Sequence, residues 1–243
     1  MPPRQRADTL LVERGLFESR AKAQAAIAAG LVTANAVPVR KASDTITVDA
    51  ALAAEPAFRW VSRGGVKLDH ALDRFGIAVA GRVCLDVGAS TGGFAEVLVA
   101  RGARRVYAVD VGTGQLHASL RDEPKIVSWE RTDIRALDPG RLAEPPDFIT
   151  IDVSFISLKL VLPAAFALAA RPAHVLALVK PQFEAPRADI RKGIVRDPAV
   201  HEAVVADIIA YAASRGCRNI MTFPSAIAGA DGNREFFIGA SLG

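Results

Sequence analysis

Short apolar runs at helical and strand-like spacings alternate along the first part of the chain. The runs LLVER and RAKAQAAIAA are typical of short helices, with Asp8 and Ser19 as predicted N-caps and Gly15 and Gly30 as predicted stops. The runs LVTANAVPV and DTITVD are rich in strand-forming residues and flank a polar turn that contains proline. The pattern predicts a helix, helix, hairpin unit, a small α+β domain at residues 1–58.

A second pattern begins after AALAAEPAF, a stretch without periodicity that we interpret as linker. Ser62 is predicted to open a helix whose apolar face includes Leu68 and Leu72 at the spacing of a helical core stripe. We therefore place a short interdomain linker at residues 59–63 and a second domain at residues 64–243.

Apolar strands alternate with helical segments from Arg82 onwards. The predicted strands are VCLDVG, RRVYAVD, KIVSW, DFITIDV and HVLALVK, and a helix is expected after each of the first four. A long helix from about Pro198 to Arg215 then precedes the strands CRNIMTF and EFFIGA. Alternation of this kind indicates a parallel sheet covered by helices on both faces, so the predicted class is α/β and Rossmann-like.

Composition and charge narrow the possible environments. The 243 residues are 51% hydrophobic and carry a formal net charge of +4, which suits a buried core and tolerates a polyanionic partner. Cys84 and Cys217 match no metal-ligand spacing and are predicted to be buried in a reducing, cytoplasmic compartment. The longest uncharged apolar run, between Lys159 and Arg171, is shorter than the roughly 18 residues that a membrane span needs.

The segment LDVGASTGGF joins a buried strand to a helix through a glycine-rich turn, which is where open parallel sheets bind ligands. Its glycines do not follow the dinucleotide spacing G-x-G-x-x-G, and no Walker lysine follows them, so nicotinamide and nucleotide-triphosphate cofactors are disfavoured. Asp110 ends the next strand and is predicted to accept the hydroxyls of an adenosine ribose, while Asp133 is predicted to accept from the adenine amino group.

A nucleoside-containing cofactor follows from this pattern, and S-adenosylmethionine fits better than NAD. Acidic residues at strand ends can also be merely solvated or cap helices, and that alternative stays open for each one alone. The predicted cofactor-binding residues are Asp86, Gly88, Ala89, Ser90, Thr91, Gly92, Gly93, Phe94, Asp110, Val111, Asp133 and Ile134.

The candidate catalytic residues are Lys67, Asp152, Lys180 and Glu235. Methyl transfer from a sulfonium to a ribose hydroxyl needs alignment and a base for a very weak acid. We predict Lys180 as the base and Lys67 as the neighbouring cation that favours its neutral form and holds the nucleotide, with Asp152 and Glu235 as orienting groups. A solvated surface lysine is the alternative for either lysine taken alone.

The segments FRWVSRGGVKL, LDVGASTGGF, IDVSFISL, LVKPQFE and GNREFF, in this order, resemble the TlyA family, also called haemolysin A. Its catalytic domain is similar to the FtsJ (RrmJ) ribose methyltransferases. The resemblance implies a class I S-adenosylmethionine-dependent fold, with a mostly parallel seven-stranded sheet whose last strand is antiparallel. It also implies 2′-O-methylation of cytidine in ribosomal RNA by a Lys-Asp-Lys-Glu tetrad, whose positions coincide with the four candidates above.

The N-terminal segment resembles the S4-like RNA-binding domain, and the resemblance implies contact with a ribosomal RNA or ribosomal subunit. The predicted RNA-binding residues are Arg4, Arg6, Arg14, Arg20, Lys22 and Arg63. An ordinary solvated helix face is the alternative, since acidic residues are interleaved with these bases. Arg59, Trp60 and Val61 match the linker with which the family couples RNA engagement to cofactor binding. The family's hairpin turn usually holds Asn-Gly, whereas here Ala36 follows Asn35.

Competing functions remain at this stage. The protein could be a ribosome assembly factor that keeps the fold without catalysis, although the intact tetrad argues against this. A membrane-active haemolysin would need an amphipathic or spanning apolar segment, and none is found. The chain ends soon after its last predicted strand, which favours methylation of the large ribosomal subunit alone. Neither the target nucleotide nor the oligomeric state follows from the sequence.

Overall fold

The structure is a computed structural model that describes residues 2–229 and 232–243. The chain divides into two compact units, one ending at Arg59 and the other beginning at Trp60. The division falls inside the predicted linker, residues 59–63. Each unit has its own hydrophobic core.

The first unit consists of two short helices and five short strands. They are β1 (Arg4–Arg6), α1 (Ala7–Glu13), α2 (Arg20–Ala28), β2 (Val32–Ala34), β3 (Val37–Pro38), β4 (Thr45–Thr47) and β5 (Leu52–Ala54). β1 pairs with β4, and β2 lies between β3 and β5. Both helices pack on a core that includes Leu11, Phe17, Ile27 and Val32.

The caps of the two helices differ from the prediction in one respect. Ser19 caps α2 through a hydrogen bond from the backbone N–H of Lys22, as predicted. Asp8 does not cap α1: it lies inside the first turn of the helix and is completely buried, and Arg6 is the N-cap residue. The apolar pattern starts at Ala7 rather than at Leu10, which moves the helix start and turns Asp8 towards the core.

The stretch 50–58, AALAAEPAF, is only partly linker. Leu52–Ala54 forms β5, which pairs antiparallel with β2, so the interpretation of the whole stretch as linker is wrong. Leu52 and Ala54 pack against the core and Ala53 is exposed, but because Ala53 is also apolar the strand shows no apolar–polar alternation. Asn35 and Ala36, between β2 and β3, both have positive φ, 50° and 63°, as a type I′ hairpin turn requires.

The second unit alternates strands and helices. Its elements are α3 (Arg63–Phe75), β6 (Val83–Val87), α4 (Gly93–Ala100), β7 (Arg105–Val109), α5 (Ala118–Arg121), β8 (Ile126–Trp129), β9 (Phe148–Ile151), α6 (Leu158–Leu168), β10 (Ala173–Val179), α7 (Pro181–Glu184), α8 (Pro198–Ser214), β11 (Cys217–Pro224) and β12 (Phe236–Leu242). Ser62 is the N-cap residue of α3, as predicted, although its side chain makes no capping hydrogen bond.

These strands form one seven-stranded sheet in the order β11-β12-β10-β9-β6-β7-β8. β12 runs antiparallel to both of its neighbours, and the pairs among β6 to β10 are parallel. The predicted α/β, Rossmann-like sheet with an antiparallel last strand is confirmed. The strand order reverses between β6 and β9, which opens a crevice at their carboxyl ends.

The predicted helix between β8 and β9 is absent from the structure. Two short 3-10 turns, Ile134–Ala136 and Pro139–Arg141, occupy this segment, and Asp133 and Asp138 cap them. Pro139 and Gly140 stand where a regular helix would need residues with better helix propensity. Ile134 and Leu137 still reach the core, which explains the helix-like apolar spacing.

The two cysteines are free and buried, as predicted. Burial raises the pKa of Cys217 to about 11 and that of Cys84 further. Both thiols are therefore unreactive at neutral pH and act as small apolar side chains.

Candidate active site

The glycine-rich turn follows β6 and leads into α4. Gly88 has a φ of 83°, and a side chain at this position would place its Cβ 2.5 Å from the backbone oxygen of Asp152. Gly92, with a φ of 89°, is similarly crowded by the side chains of Leu116 and Leu120. The turn thus needs glycine both for its conformation and for close contact with neighbouring segments.

A cavity of about 500 Å³ opens at the carboxyl ends of β6, β7 and β9, within the size range of small-molecule sites. It is lined by Val87, Gly88, Ser90, Val109, Asp110, Val111, Gln115, Thr132, Asp133, Ile134, Arg135, Asp152, Val153, Ser154, Phe155, Ile156 and Val161. Predicted cofactor residues that do not line it are Asp86, Ala89, Thr91, Gly92, Gly93 and Phe94.

Two carboxylates project at the rim of this cavity. Asp110 accepts hydrogen bonds from the backbone N–H groups of Ser90 (2.8 Å) and Gly112 (2.7 Å), which fixes its orientation. Asp133 caps its 3-10 turn and forms an ion pair of 2.6 Å with Arg135, whose guanidinium lowers the pKa of the carboxyl. Both acids are therefore oriented, and Asp133 stays ionised at neutral pH.

Asp86 lies beneath the cavity floor, completely buried in β6. Thr150 donates a hydrogen bond of 2.9 Å to its Oδ1, and Oδ2 has no hydrogen-bond partner within the protein. Burial, reinforced by the nearby carboxylates of Asp152 and Asp110, raises the pKa of Asp86 to about 7 in spite of the Thr150 hydrogen bond. An unsatisfied buried acceptor of this kind indicates that a donor is missing.

The predicted catalytic residues form two ion pairs. Lys67 Nζ lies 2.5 Å from Glu235 Oε2, and Lys180 Nζ lies 2.6 Å from Asp152 Oδ1. Lys180 also donates a hydrogen bond of 2.9 Å to the hydroxyl of Ser154. Lys67, Lys180 and Glu235 are buried, so each charge needs the compensation that its partner provides.

The sheet register brings the two pairs together. Val179 of β10 pairs with Phe236 of the antiparallel strand β12. Lys180 follows Val179, and Glu235 precedes Phe236, so both lie at the same end of adjacent strands. Asp152 directly follows the neighbouring strand β9 and lines the cavity. The structure thus gathers all four predicted catalytic residues at one edge of the sheet.

Comparisons with known proteins show which family the chain belongs to. The FtsJ-like methyltransferase profile matches residues 60–242, and the S4 domain profile matches residues 5–52. The chain belongs to the FtsJ-like methyltransferase family. The unit that begins at Trp60 is called the FtsJ-like unit from here on, and the preceding one the S4 unit.

Similar proteins cover nearly the whole chain. It is 45% identical to "Putative rRNA methyltransferase YqxC" of Bacillus subtilis, across 97% of this chain and 85% of the relative. It is 44% identical to "16S/23S rRNA (cytidine-2'-O)-methyltransferase TlyA" of Mycobacterium tuberculosis H37Rv, across 98% of this chain and 90% of the relative. A solved structure, "Putative hemolysin from Streptococcus thermophilus", is 41% identical with a TM-score of 0.79, covering 100% of this chain and 90% of that one.

Among residues 2–229 and 232–243, no helix has the length and apolar character to cross a membrane. Within the same residues, no cluster of histidine, cysteine, aspartate and glutamate has the arrangement of a metal site.

The start of the FtsJ-like unit contacts the glycine-rich turn. Trp60 is buried against Gly65, where an added Cβ would lie 2.5 Å from the Trp60 side chain. The backbone N–H of Val61 donates a 2.6 Å hydrogen bond to Glu96 of α4, the helix that the turn begins. A Cβ on Gly93 would lie 2.1 Å from the Ser62 hydroxyl. Residues of the predicted linker therefore pack directly against the candidate cofactor site.

The loop before β12 seats Glu235. A Cβ on Gly229 would lie 2.0 Å from Glu235 Oε1, so only glycine fits there. Arg63, a predicted RNA-binding residue, is exposed and donates through Nη2 to the backbone oxygens of Ala228 and Gly229. Arg63 is the first residue of α3, the helix that carries Lys67. Its hydrogen bonds therefore connect this helix to the loop before β12, which contains Glu235, the partner of Lys67.

Phe155 is a site residue that the sequence analysis missed. It lines the cavity, has a φ of 65°, and leaves 91% of its surface exposed. Its ring centroid lies 5.0 Å from that of Phe183, and Glu184 anchors the same loop by accepting hydrogen bonds from Ser157 and Leu158. The signal was present in IDVSFISL, where an apolar residue follows the strand at the point where the chain leaves the sheet.

The predicted RNA-binding residues of the S4 unit lie at its surface, with Lys22 half-buried. Arg4 donates to Thr45, Arg14 donates to the backbone oxygen of Val48, and Lys22 forms an ion pair with Glu18. These contacts engage part of each cationic group and leave the surface basic.

Proposed function

We propose that this protein transfers a methyl group from S-adenosylmethionine to the ribose 2′-hydroxyl of a cytidine in ribosomal RNA. The observation that carries the proposal is the pairing of two buried lysines with two carboxylates beside the cavity of the FtsJ-like unit. The names of the Bacillus and Mycobacterium relatives support ribosomal RNA as the substrate, and the latter supports the cytidine 2′-hydroxyl.

The cavity residues fit S-adenosylmethionine. Gly88 lines the cavity, and its turn has no space for a side chain because a Cβ there would clash with the backbone of Asp152. Asp110 would accept from the ribose hydroxyls and Asp133 from the adenine amino group, because both carboxylates reach the cavity. The bound sulfonium would supply an already activated methyl group.

The paired lysines can perform the proton chemistry. A ribose hydroxyl is a very weak acid, so its attack needs a base within hydrogen-bond reach. In its neutral form the Lys180 amine can take the hydroxyl proton, and Asp152, whose Oδ1 lies 2.6 Å from Lys180 Nζ, would stabilise the ammonium that forms. Glu235 holds Lys67 in place across 2.5 Å, and the Lys67 ammonium would supply a second positive charge that holds the target nucleotide.

The exposed ring of Phe155 suits the target base. Enzymes that modify RNA bind unstacked bases by stacking them on aromatic side chains. Phe155 stands beside Ser154, which contacts the proposed base Lys180, so a nucleotide stacked on this ring would bring its ribose towards the amine. The positive φ of Phe155 holds the ring out into solvent and is the kind of backbone strain that functional sites retain.

The S4 unit would deliver the RNA. Its exposed arginines and Lys22 provide the cations that bind phosphates and give affinity rather than sequence reading. We infer that this unit binds ribosomal RNA and raises the local concentration of substrate at the FtsJ-like unit.

The decisive experiment compares Lys180→Ala with the intact protein on purified ribosomal RNA, with mass mapping of ribose methylation. Loss of the base is expected to reduce methylation at least 100-fold, since positioned bases contribute about 10² to 10⁴ in rate, while S-adenosylmethionine affinity stays nearly unchanged. Lys159→Ala is a matched control, because Lys159 forms a similar pair with Asp207 away from the site. Full activity of Lys180→Ala would remove Lys180 from the mechanism.

The same map of ribose methylation tests the rival function, an assembly factor without catalysis, and shows which ribosomal subunit carries the methyl group. An assembly factor without catalysis would bind ribosomal RNA and leave no methylated ribose with the intact protein. We expect the mark in large-subunit RNA alone, whereas the name of the Mycobacterium relative covers the RNA of both subunits. A methylated cytidine in small-subunit RNA would contradict the narrower substrate.

A further inference from the structure

Asp8 is a buried acid with an unusual set of partners. It is completely buried at the start of α1, and its carboxylate accepts hydrogen bonds from Arg6, Arg20 and Gln24. These contacts, led by the one with Arg6, hold the pKa of the Asp8 carboxyl well below its usual range. Asp8 is therefore ionised at all physiological pH values, and its negative charge is fully compensated by two arginines.

The geometry of the two guanidinium groups is alike. Arg6 donates to Asp8 through Nε (3.1 Å) and Nη2 (3.1 Å), and Arg20 donates through Nε (3.2 Å) and Nη2 (2.7 Å). Within the described part of the chain, no contact engages the Nη1 group of either residue. Both side chains remain about half exposed, at 47% and 55%. Each arginine thus turns the outer edge of its guanidinium towards solvent.

We propose that Asp8 is a positioning residue that fixes Arg6 and Arg20 as a rigid pair for binding phosphates of RNA. The inference rests on the proposed RNA-binding function of the S4 unit and adds the device that organises it. A free arginine side chain loses rotamer entropy when a ligand immobilises it. Here the carboxylate has already ordered both side chains, so binding costs less and the spacing of the two cations is set in advance.

Simple electrostatics and this proposal predict opposite changes in RNA affinity when Asp8 loses its charge. Removing a negative charge from a basic surface should tighten the binding of a polyanion. If Asp8 positions the arginines, Asp8→Asn should instead weaken binding, because an amide cannot hold both guanidinium groups and its own N–H groups oppose theirs. The sign of the change therefore separates a positioning carboxylate from an incidental one.

The test measures binding of purified ribosomal RNA to the full chain at several salt concentrations. Asp8→Asn is expected to weaken binding about tenfold, in line with the loss of an arginine–phosphate contact, and to reduce the salt slope by roughly 0.7 to 1.4, the value for one or two phosphates of single-stranded RNA. Glu13→Gln is the matched control: Glu13 is exposed on the same helix, so it removes the same charge without touching either arginine. Equal or tighter binding by Asp8→Asn would overturn the proposal.

Two further variants distinguish loss of arginine positioning from partial unfolding of the S4 unit. In an Arg6→Ala/Arg20→Ala background, Asp8→Asn should cause no additional loss of RNA affinity, whereas a merely structural role would lower affinity again. Arg20→Lys retains the charge but loses the two guanidinium donors that contact Asp8, so it should weaken RNA binding several-fold. Arg40→Lys, on the same unit, is the control and should leave RNA binding unchanged. If Arg20→Lys binds like the intact protein, charge alone suffices and the positioning role is wrong.

The outcome is separable from failure of the proposed function. If the intact chain binds ribosomal RNA without salt dependence, the S4 unit makes no phosphate contacts and the proposed function fails. If the intact chain binds with salt dependence and Asp8→Asn binds equally well, only the inference about Asp8 fails.

Discussion

The carboxylate of Glu96 accepts a 2.6 Å hydrogen bond from the backbone N–H of Val61. This contact ties the segment at the start of the FtsJ-like unit to α4, the helix that begins at the glycine-rich turn. The position of the turn therefore depends on a residue outside the cavity. Because the hydrogen bond is charge-assisted and partly buried, its loss should weaken binding at the cofactor site.

We expect Glu96→Ala to weaken S-adenosylmethionine binding about tenfold, equivalent to roughly 1.4 kcal/mol, because Val61 loses its acceptor and the turn loses its support. Isothermal titration with the cofactor alone measures the effect. Glu202→Ala, an exposed acid on α8, is the control and should bind normally. Unchanged affinity in Glu96→Ala would show that the turn is held without this contact.

Gly88→Ala should abolish cofactor binding and methylation. The added Cβ would lie 2.5 Å from the backbone oxygen of Asp152, so either the turn or the end of β9 must move. Gly81→Ala separates this clash from backbone strain, since Gly81 also has positive φ, 76°, with open space around it. Gly81→Ala should lose only about 1 to 2 kcal/mol of stability and keep activity. Normal cofactor affinity in Gly88→Ala would contradict the steric argument.

The candidate site was largely predictable because parallel strands share an edge. Asp110 follows β7 and Asp152 follows β9, the two parallel strands that flank β6, and an α/β sheet brings such positions to one edge. The pairing of Lys67 with Glu235 is different in kind: the two residues are far apart in the sequence, and no local spacing relates them. Both were catalytic candidates from the sequence, but no pattern paired them with each other. The register of β10 on β12 explains only why Glu235 lies beside Lys180.

Local sequence patterns gave wrong or missing predictions where tertiary contacts determine the structure. Asp8 has the residue type and position of a helix cap, yet the start of α1 moves it into the core, where two arginines surround it. The segment after β8 keeps apolar residues at helical spacing, but Pro139 and Gly140 limit it to 3-10 turns. Phe155 was missed because a positive φ on a bulky residue is set by the surrounding loop.

The raised pKa of Asp86 predicts a pH dependence of stability. Its folded pKa of about 7 lies above the ordinary value of 3.8, so the folded state binds a proton more tightly than the unfolded state. Stability from this group is full below about pH 4 and is lost as the pH rises towards 7. Asp86→Asn should therefore flatten the decline in unfolding free energy between these pH values, measured by urea unfolding without cofactor. An identical decline in the variant would show that Asp86 does not titrate in this range.

Ala36→Gly should stabilise the S4 unit. Ala36 holds a φ of 63° in the turn between β2 and β3, a conformation that costs alanine about 1 to 2 kcal/mol relative to the usual region and costs glycine almost nothing. Part of the gain is offset because glycine loses more entropy on folding, so the net gain is about 1 kcal/mol. Ala21→Gly, the same change on the exposed face of α2, should destabilise by about 0.5 to 1 kcal/mol. Amide hydrogen exchange of the S4 unit measures the stability change of each variant. If Ala36→Gly destabilises the unit as Ala21→Gly does, the turn does not hold this conformation in solution.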